Sequence, residues 1–147
     1  MQEHYINETV EKSKTYFNSG YGCAESVLMA LAEAKGIQSA LFPRIASGFC
    51  GGVANTGGMC GAVIAGIMAI NIIYGRDKAT ESKEANYQKV KKFVKEFDVK
   101  FGSVNCPQLT GCDLGTAEGH AKFKELNVHK KCTDFTAEAT RLVLEII

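Results

Sequence analysis

Apolar residues recur at every third or fourth position along most of the chain, and no segment shows a convincing alternation of apolar and polar residues. In the first segment, Ile6, Val10, Ser13 and Phe17 fall on one face of a helix that is predicted over about residues 3–18. The same spacing continues further along the chain. The pattern therefore predicts an all-α fold.

Glycines and prolines indicate where further helices begin and end. Helices are predicted over residues 23–35 and about 131–147, with a short helix over 39–48 and a long, charged helix over 77–101. A brief helix is predicted to start at residue 106, and a weaker one to cover residues 116–127. Residues 110–119 contain three glycines and are predicted to form an irregular loop. The lysine-rich face of the charged helix also carries acidic residues, so we expect it to be a solvated surface.

Residues 60–74 lie in the longest uncharged stretch and are predicted to form a central Gly/Ala-rich helix of a helical bundle. Gly61, Ala65 and Ala69 lie at positions i, i+4 and i+8, and a second strip that includes Gly66 follows one position later. Strips without bulk allow neighbouring helices to approach closely. The stretch is shorter than a membrane span of about 20 residues, so we expect no membrane span.

The composition predicts a single cytoplasmic domain over residues 1–147. This length, with 46% hydrophobic content, is enough for one core without disulfides. With 17 basic and 16 acidic residues and a net charge of +1, no nucleic acid partner is expected. The N-terminal residues lack the apolar core of a secretory signal, so a cytoplasmic location is expected. In that reducing compartment, six cysteines favour metal ligands or redox thiols.

Four of the cysteines are predicted to lie at, or within one turn of, a helix N-terminus. They are Cys23, Cys60, Cys106 and Cys132. A helix start offers unpaired backbone N–H groups and a partial positive charge, which favour a thiolate. The chain has no CxxC pair, so a local zinc knuckle is disfavoured. We predict that the four thiols meet through tertiary folding, one from each of four helices, in one cofactor or metal site.

The remaining cysteines and two histidines are weaker candidates. Cys112 could be a substitute ligand or a resolving thiol, although an unpaired loop cysteine is the simpler interpretation. Cys50 is expected to be peripheral to the shared site. His120 and His129 are expected to be surface histidines rather than ligands.

Several stretches around the four cysteines are similar to the redox-active family named for its C_GCAxxG_C_C motif. The matching pieces are GYGCAESVL at Cys23, SGFCGGV followed by GGMCGAVIAGIMAI at Cys60, FGSVNCPQLTGCDL at Cys106, and the late Cys132. One departure is that the glycine expected in CGAxxG falls on Ala65, with glycine only at Gly66. The resemblance, from about residue 15 to the C-terminus, implies an α-helical domain whose four-cysteine pattern looks like an iron–sulfur site. Similar domains occur fused to electron-transfer modules.

The leading hypothesis is therefore an iron–sulfur protein, with a 2Fe–2S cluster on the four cysteines, for electron transfer or redox sensing. It would be a carrier rather than a classical enzyme, it would work with a redox partner protein, and two chains could share a site in a homodimer. One alternative is a thiol–disulfide oxidoreductase, in which a low-pKa cysteine attacks and a second resolves. Another alternative is a structural zinc site.

Overall fold

The computed structural model describes residues 2–147, in which there are eight α-helices and no strand. They are α1 (Gln2–Asn18), α2 (Cys23–Ala34), α3 (Cys50–Val53), α4 (Gly61–Tyr74), α5 (Glu84–Phe101), α6 (Cys106–Thr110), α7 (Ala117–Glu125) and α8 (His129–Ile146). A 3₁₀ helix over Arg44–Phe49 precedes α3. The predicted all-α fold is confirmed.

Helix α4 is central, as its composition predicts. It packs against α2, α5 and α8, and α8 in turn packs against α1. Ala65 and Ala69 of α4 are buried. At Gly66, an added Cβ would overlap the ring of Phe93 in α5 and lie 3.1 Å from Val143 in α8. The small residues therefore let three helices meet closely around α4. Among residues 2–147, no helix has both the length and the apolar content of a membrane span.

Helix α5 begins at Glu84 rather than near Asp77, because the preceding residues form a hydrogen-bonded turn. The Glu81 carboxylate accepts the backbone N–H groups of Asp77 and Lys78, both at 2.8 Å. The Arg76 guanidinium also donates to the carbonyl oxygen of Glu81 at 3.2 Å. These bonds satisfy backbone groups locally, so the helix starts only after the turn.

The predicted α-helix over 39–48 is instead a 3₁₀ helix that starts later, at Arg44, and the chain then enters a left-handed turn. Residues 51–55 all have positive φ, between 53° and 72°, so the segment assigned as α3 is a left-handed turn rather than a regular α-helix. The N–H of Ala54 donates to the carbonyl of Cys50 at 3.0 Å. A left-handed turn is unfavourable for residues with a Cβ, so Val53 and Ala54 are held in place by the surrounding structure. This turn forms part of the candidate site.

Candidate functional site

Five of the six thiols line one cavity of about 130 Å³. This volume is well above the roughly 10–15 Å³ that one water needs. The five are Cys23, Cys50, Cys60, Cys106 and Cys132. The rest of the wall is mainly glycine and large apolar side chains, among them Phe17, Leu109, Leu114, Phe123 and Phe135. The structure thus brings the four predicted site cysteines to one cavity; that they bind a cofactor or a metal stays a prediction.

The thiols surround the cavity instead of converging on one point. Across residues 2–147, no three His, Cys, Asp or Glu side chains are arranged so that they could hold a single metal ion. Cys23 begins α2, Cys60 directly precedes α4, Cys106 begins α6 and Cys132 lies in the first turn of α8. The predicted positions at helix starts are confirmed for all four.

An isolated antiparallel bridge between Met59 and Asn105 positions two of these thiols. The N–H of Cys60 donates to the carbonyl of Val104 at 2.8 Å, and the N–H of Cys106 donates to the carbonyl of Gly58 at 3.0 Å. The starts of α4 and α6 are therefore fixed side by side, although about 45 residues separate them along the chain.

Glycines leave the space that three of the cysteine side chains occupy. A Cβ added at Gly61 would lie 2.7 Å from the Cys23 Sγ, and one added at Gly52 would lie 2.5 Å from the Cys106 Cβ. At Gly22, an added Cβ would overlap the Cys50 side chain. The cysteines therefore rest directly on backbone, and any larger residue at these positions would displace them.

Burial, rather than the helix starts, determines the acidity of three of the predicted ligands. It raises the pKa of Cys60 to about 11, although the backbone N–H groups of Ala62 and Val63 act in the opposite direction. It also raises the pKa of Cys132 to about 12, with a further contribution from neighbouring cysteines. The pKa of Cys106 is likewise raised by burial, and the nearby Thr110 hydroxyl partly offsets this. At Cys60 the helix start favours the thiolate as expected, but burial is the larger effect and raises the pKa values of all three thiols.

Cys50, predicted to be peripheral, lies on the cavity wall beside Cys23. A hydrogen bond from the Cys23 thiol lowers the pKa of Cys50 to about 7, and backbone N–H groups of Glu25 and Ala24 contribute. The same hydrogen bond, together with burial, raises the pKa of Cys23 well above its ordinary value. The N-terminus of α2 thus favours a thiolate on Cys50, a residue from another part of the chain. It does not favour one on Cys23, the first residue of α2 itself. This correction follows from tertiary contacts.

Glu25 is a functional candidate that the sequence reasoning missed. Its carboxylate accepts the Gly22 N–H and the Ser47 hydroxyl, both at 2.8 Å, and lies 4.0 Å from the Cys50 Sγ. It therefore links the start of α2 to the 3₁₀ helix that precedes Cys50. A glutamate three residues after the cap residue can accept that residue's N–H, as in a capping box. Because the cap residue here is Gly22, the sequence carried only the glutamate half of that signal.

The other sequence candidates lie outside the cavity wall. Cys112 is buried just after α6, and its Sγ donates to the carbonyl of Thr110 at 3.5 Å. Its N–H also donates to the Thr110 hydroxyl at 3.2 Å, so this part of the predicted loop is tied to α6. His120 is exposed on α7. His129 stacks on Phe17, with ring centroids 4.4 Å apart, at the edge of the site.

A helical body with five thiols around one cavity defines a class of cysteine-based protein suited to thiol redox chemistry or soft-metal binding. The family model described as "Putative redox-active protein (C_GCAxxG_C_C)" matches residues 21–146. The chain belongs to this family, and the resemblance seen in its cysteine motifs is confirmed. Neither the curated proteins nor the solved structures contain a match to the chain.

Proposed function

We propose that the protein binds an iron–sulfur cluster, of the 2Fe–2S type, through Cys23, Cys60, Cys106 and Cys132. Its role would be electron transfer or redox sensing, in exchange with a redox partner protein. The observation that carries the proposal is the placement of these four thiols, from four different helices, on the wall of one cavity. Membership of a redox-active family supports the same conclusion.

The four cysteine thiolates suit a cofactor that contains several metal atoms. Thiolates are the usual ligands of iron–sulfur clusters, and a cluster takes its thiolates on different irons. Thiols that surround a cavity of about 130 Å³ are compatible with that arrangement. When bound, such a cluster supplies one-electron redox chemistry.

Hydrogen-bond donors and apolar side chains around the sulfurs also suit a negatively charged centre. Backbone N–H groups of Ala62 and Val63 stabilise the Cys60 thiolate, and that of Gly51 stabilises the Cys23 thiolate. Hydrogen bonds to sulfur and exclusion of solvent are two of the means by which proteins set a cluster's potential. Phe17, Phe123 and Phe135 contribute apolar wall on the remaining sides.

The test is anaerobic reconstitution of the full chain with iron and sulfide, followed by measurement of bound iron and the visible spectrum. Replacing any of the four ligands by serine should lower bound iron by about tenfold or more, because a hydroxyl is a poor ligand for a soft site. Cys112→Ser is the matched control, since Cys112 is buried but lies off the cavity wall. Circular dichroism should show unchanged helix content in all variants.

Two results would contradict the proposal: a wild-type protein that takes up no iron, or a Cys112→Ser variant that loses as much iron as the four ligand variants. Purified protein that contains zinc in place of iron would favour the structural zinc alternative. The thiol–disulfide oxidoreductase alternative is favoured by one observation, the lowered pKa of Cys50 beside Cys23. Repeated turnover of a disulfide substrate by a protein that takes up no iron, lost in Cys50→Ser, would support that alternative.

A further inference from the structure

Cys23 and Cys50 lie beside each other on the cavity wall, and the four-ligand proposal does not account for this. The Cys50 side chain packs against Gly22, the residue before Cys23. The Cys50 Cβ lies 2.7 Å from the point that a Cβ on Gly22 would occupy. Both cysteines also line the same cavity. Disulfide formation requires two Cβ atoms within about 3.5–4.5 Å, so Cys23 and Cys50 would have to come within this range when a bond forms.

The surroundings of the pair allow it to react. Cys23, Cys50 and Cys132 are partly exposed, whereas Cys60 and Cys106 are buried, so a small oxidant reaches the pair more readily than these two buried ligands. Cys50 also directly precedes Gly51 and Gly52, whose backbone can adjust when a new bond forms. Glu25 holds the start of α2 against the 3₁₀ helix and so keeps the two thiols together.

We propose that Cys23 and Cys50 form a reversible disulfide that withdraws Cys23 from the cluster site. The oxidant is a small disulfide of the glutathione disulfide class. The Cys50 sulfur attacks one sulfur of the oxidant, which forms a mixed disulfide and releases one small thiol. The Cys23 sulfur then attacks the Cys50 sulfur, its proton passes to the departing second thiolate, and the Cys23–Cys50 bond forms. Two protein thiols are oxidised, and one external disulfide is reduced to two thiols.

The consequence for the cluster site rests on the function proposed above. A sulfur in a disulfide cannot act as a thiolate ligand, so the oxidised protein retains three of the four ligands. Reduction by a dithiol restores the fourth. The pair would therefore couple the capacity to bind a cluster to the thiol–disulfide balance of the surroundings.

The test treats metal-free full-length protein with glutathione disulfide, blocks the remaining thiols by alkylation and maps disulfides by peptide mass spectrometry. The expected product is a Cys23–Cys50 bond in wild type and in Cys112→Ser. In Cys50→Ser this bond is absent, and treatment of this variant with the oxidant should no longer lower its iron uptake. Wild type treated with the oxidant should take up several-fold less iron, with recovery after treatment with dithiothreitol.

The two proposals fail in different ways. A mapped bond between other cysteines, or a stable glutathione adduct on Cys50, would overturn the disulfide pair even if iron binds as proposed. Equal iron uptake by the oxidised and reduced forms would overturn the switching role. A Cys23–Cys50 bond in a protein that never takes up iron would overturn the cluster proposal, and with it the withdrawal of Cys23 from that site. Circular dichroism of Cys50→Ser checks that the variant is folded.

Discussion

At the level of single residues, burial outweighs the effect of a helix terminus on the cavity thiols. The rise in the Cys60 pKa from 9.0 to about 11 corresponds to roughly 3 kcal/mol against the thiolate. A helix terminus typically contributes only about 0.3–1 kcal/mol in favour of a negative charge. A buried thiol at a helix start therefore stays protonated until a metal or another strong partner compensates for its desolvation. Cys50 differs because the Cys23 thiol is such a partner.

This difference predicts which thiol reacts first with an alkylating agent. In metal-free protein, the rate of Cys50 alkylation should rise with pH around a midpoint near 7, since the thiolate is the nucleophile and forms above the pKa. Cys60 and Cys132 should stay slow up to pH 9, because burial raises their pKa values to about 11 and 12. Peptide mass spectrometry after timed exposure to iodoacetamide measures the three rates.

Removal of the hydrogen bond provides the control. In Cys23→Ala, the midpoint for Cys50 should move upward, because the Cys23 thiol is the largest cause of its lowered pKa. Cys112→Ala should leave the midpoint unchanged. A Cys50 midpoint near the ordinary thiol value in wild type would show that the hydrogen bond from Cys23 does not operate.

The cysteines also show what a sequence can and cannot reveal about this site. Cys23, Cys60, Cys106 and Cys132 could be assigned together because caps, glycines and apolar periodicity give helix starts from local sequence alone. Cys50 reaches the site because its side chain fills the space above Gly22, which belongs to a distant part of the sequence. No local pattern encodes such a contact, so Cys50 looked like an isolated loop cysteine.

At the level of elements, the left-handed turn after Cys50 holds part of the cavity wall in an unfavourable backbone conformation. Gly51 and Gly52 adopt positive φ without strain, but Val53 and Ala54 do not. Such strain persists only where surrounding contacts maintain it. Here the N–H of Gly58 donates to the carbonyl of Gly52 at 2.8 Å, which closes the loop against the start of α4.

Gly52→Ala and Ala54→Gly should differ in their effect on the free energy of unfolding. Gly52→Ala should lower the free energy of unfolding by about 1–3 kcal/mol, because its φ is +72° and the new Cβ would lie 2.5 Å from the Cys106 Cβ. Ala54→Gly should leave it unchanged or raise it by up to about 1 kcal/mol. Ala54 is exposed, and glycine relieves strain of about 1–2 kcal/mol at a smaller entropic cost. Urea titrations followed by circular dichroism compare the two variants. Equal destabilisation by both would show that backbone strain in this turn is unimportant.

At the level of the whole molecule, the sequence allowed the all-α class and the central helix to be anticipated better than the connections. The stripe of small residues on α4 strongly indicates a central helix, because small side chains on a helix face allow neighbouring helices to pack closely. The structure confirms this packing at Gly66. The start of α5 was misplaced because side-chain hydrogen bonds from Glu81, rather than periodicity, decide where that helix begins. Connections depend on such individual contacts, which hydrophobic patterns do not record.

The packing around α4 predicts how a substitution far from the thiols changes the free energy of unfolding. Gly66→Ala should lower the free energy of unfolding by about 1–2 kcal/mol. The gain in helix propensity of about 1 kcal/mol is outweighed by overlap with Phe93, which is fully buried and cannot move aside. Gly48→Ala is the matched control, because no atom lies within 4 Å of its added Cβ.

Combining Gly66→Ala with Phe93→Leu should destabilise the protein by less than the two single effects added together, since the smaller side chain relieves the overlap. Urea titrations of the four variants measure this, and strictly additive effects would contradict direct packing of α5 on Gly66.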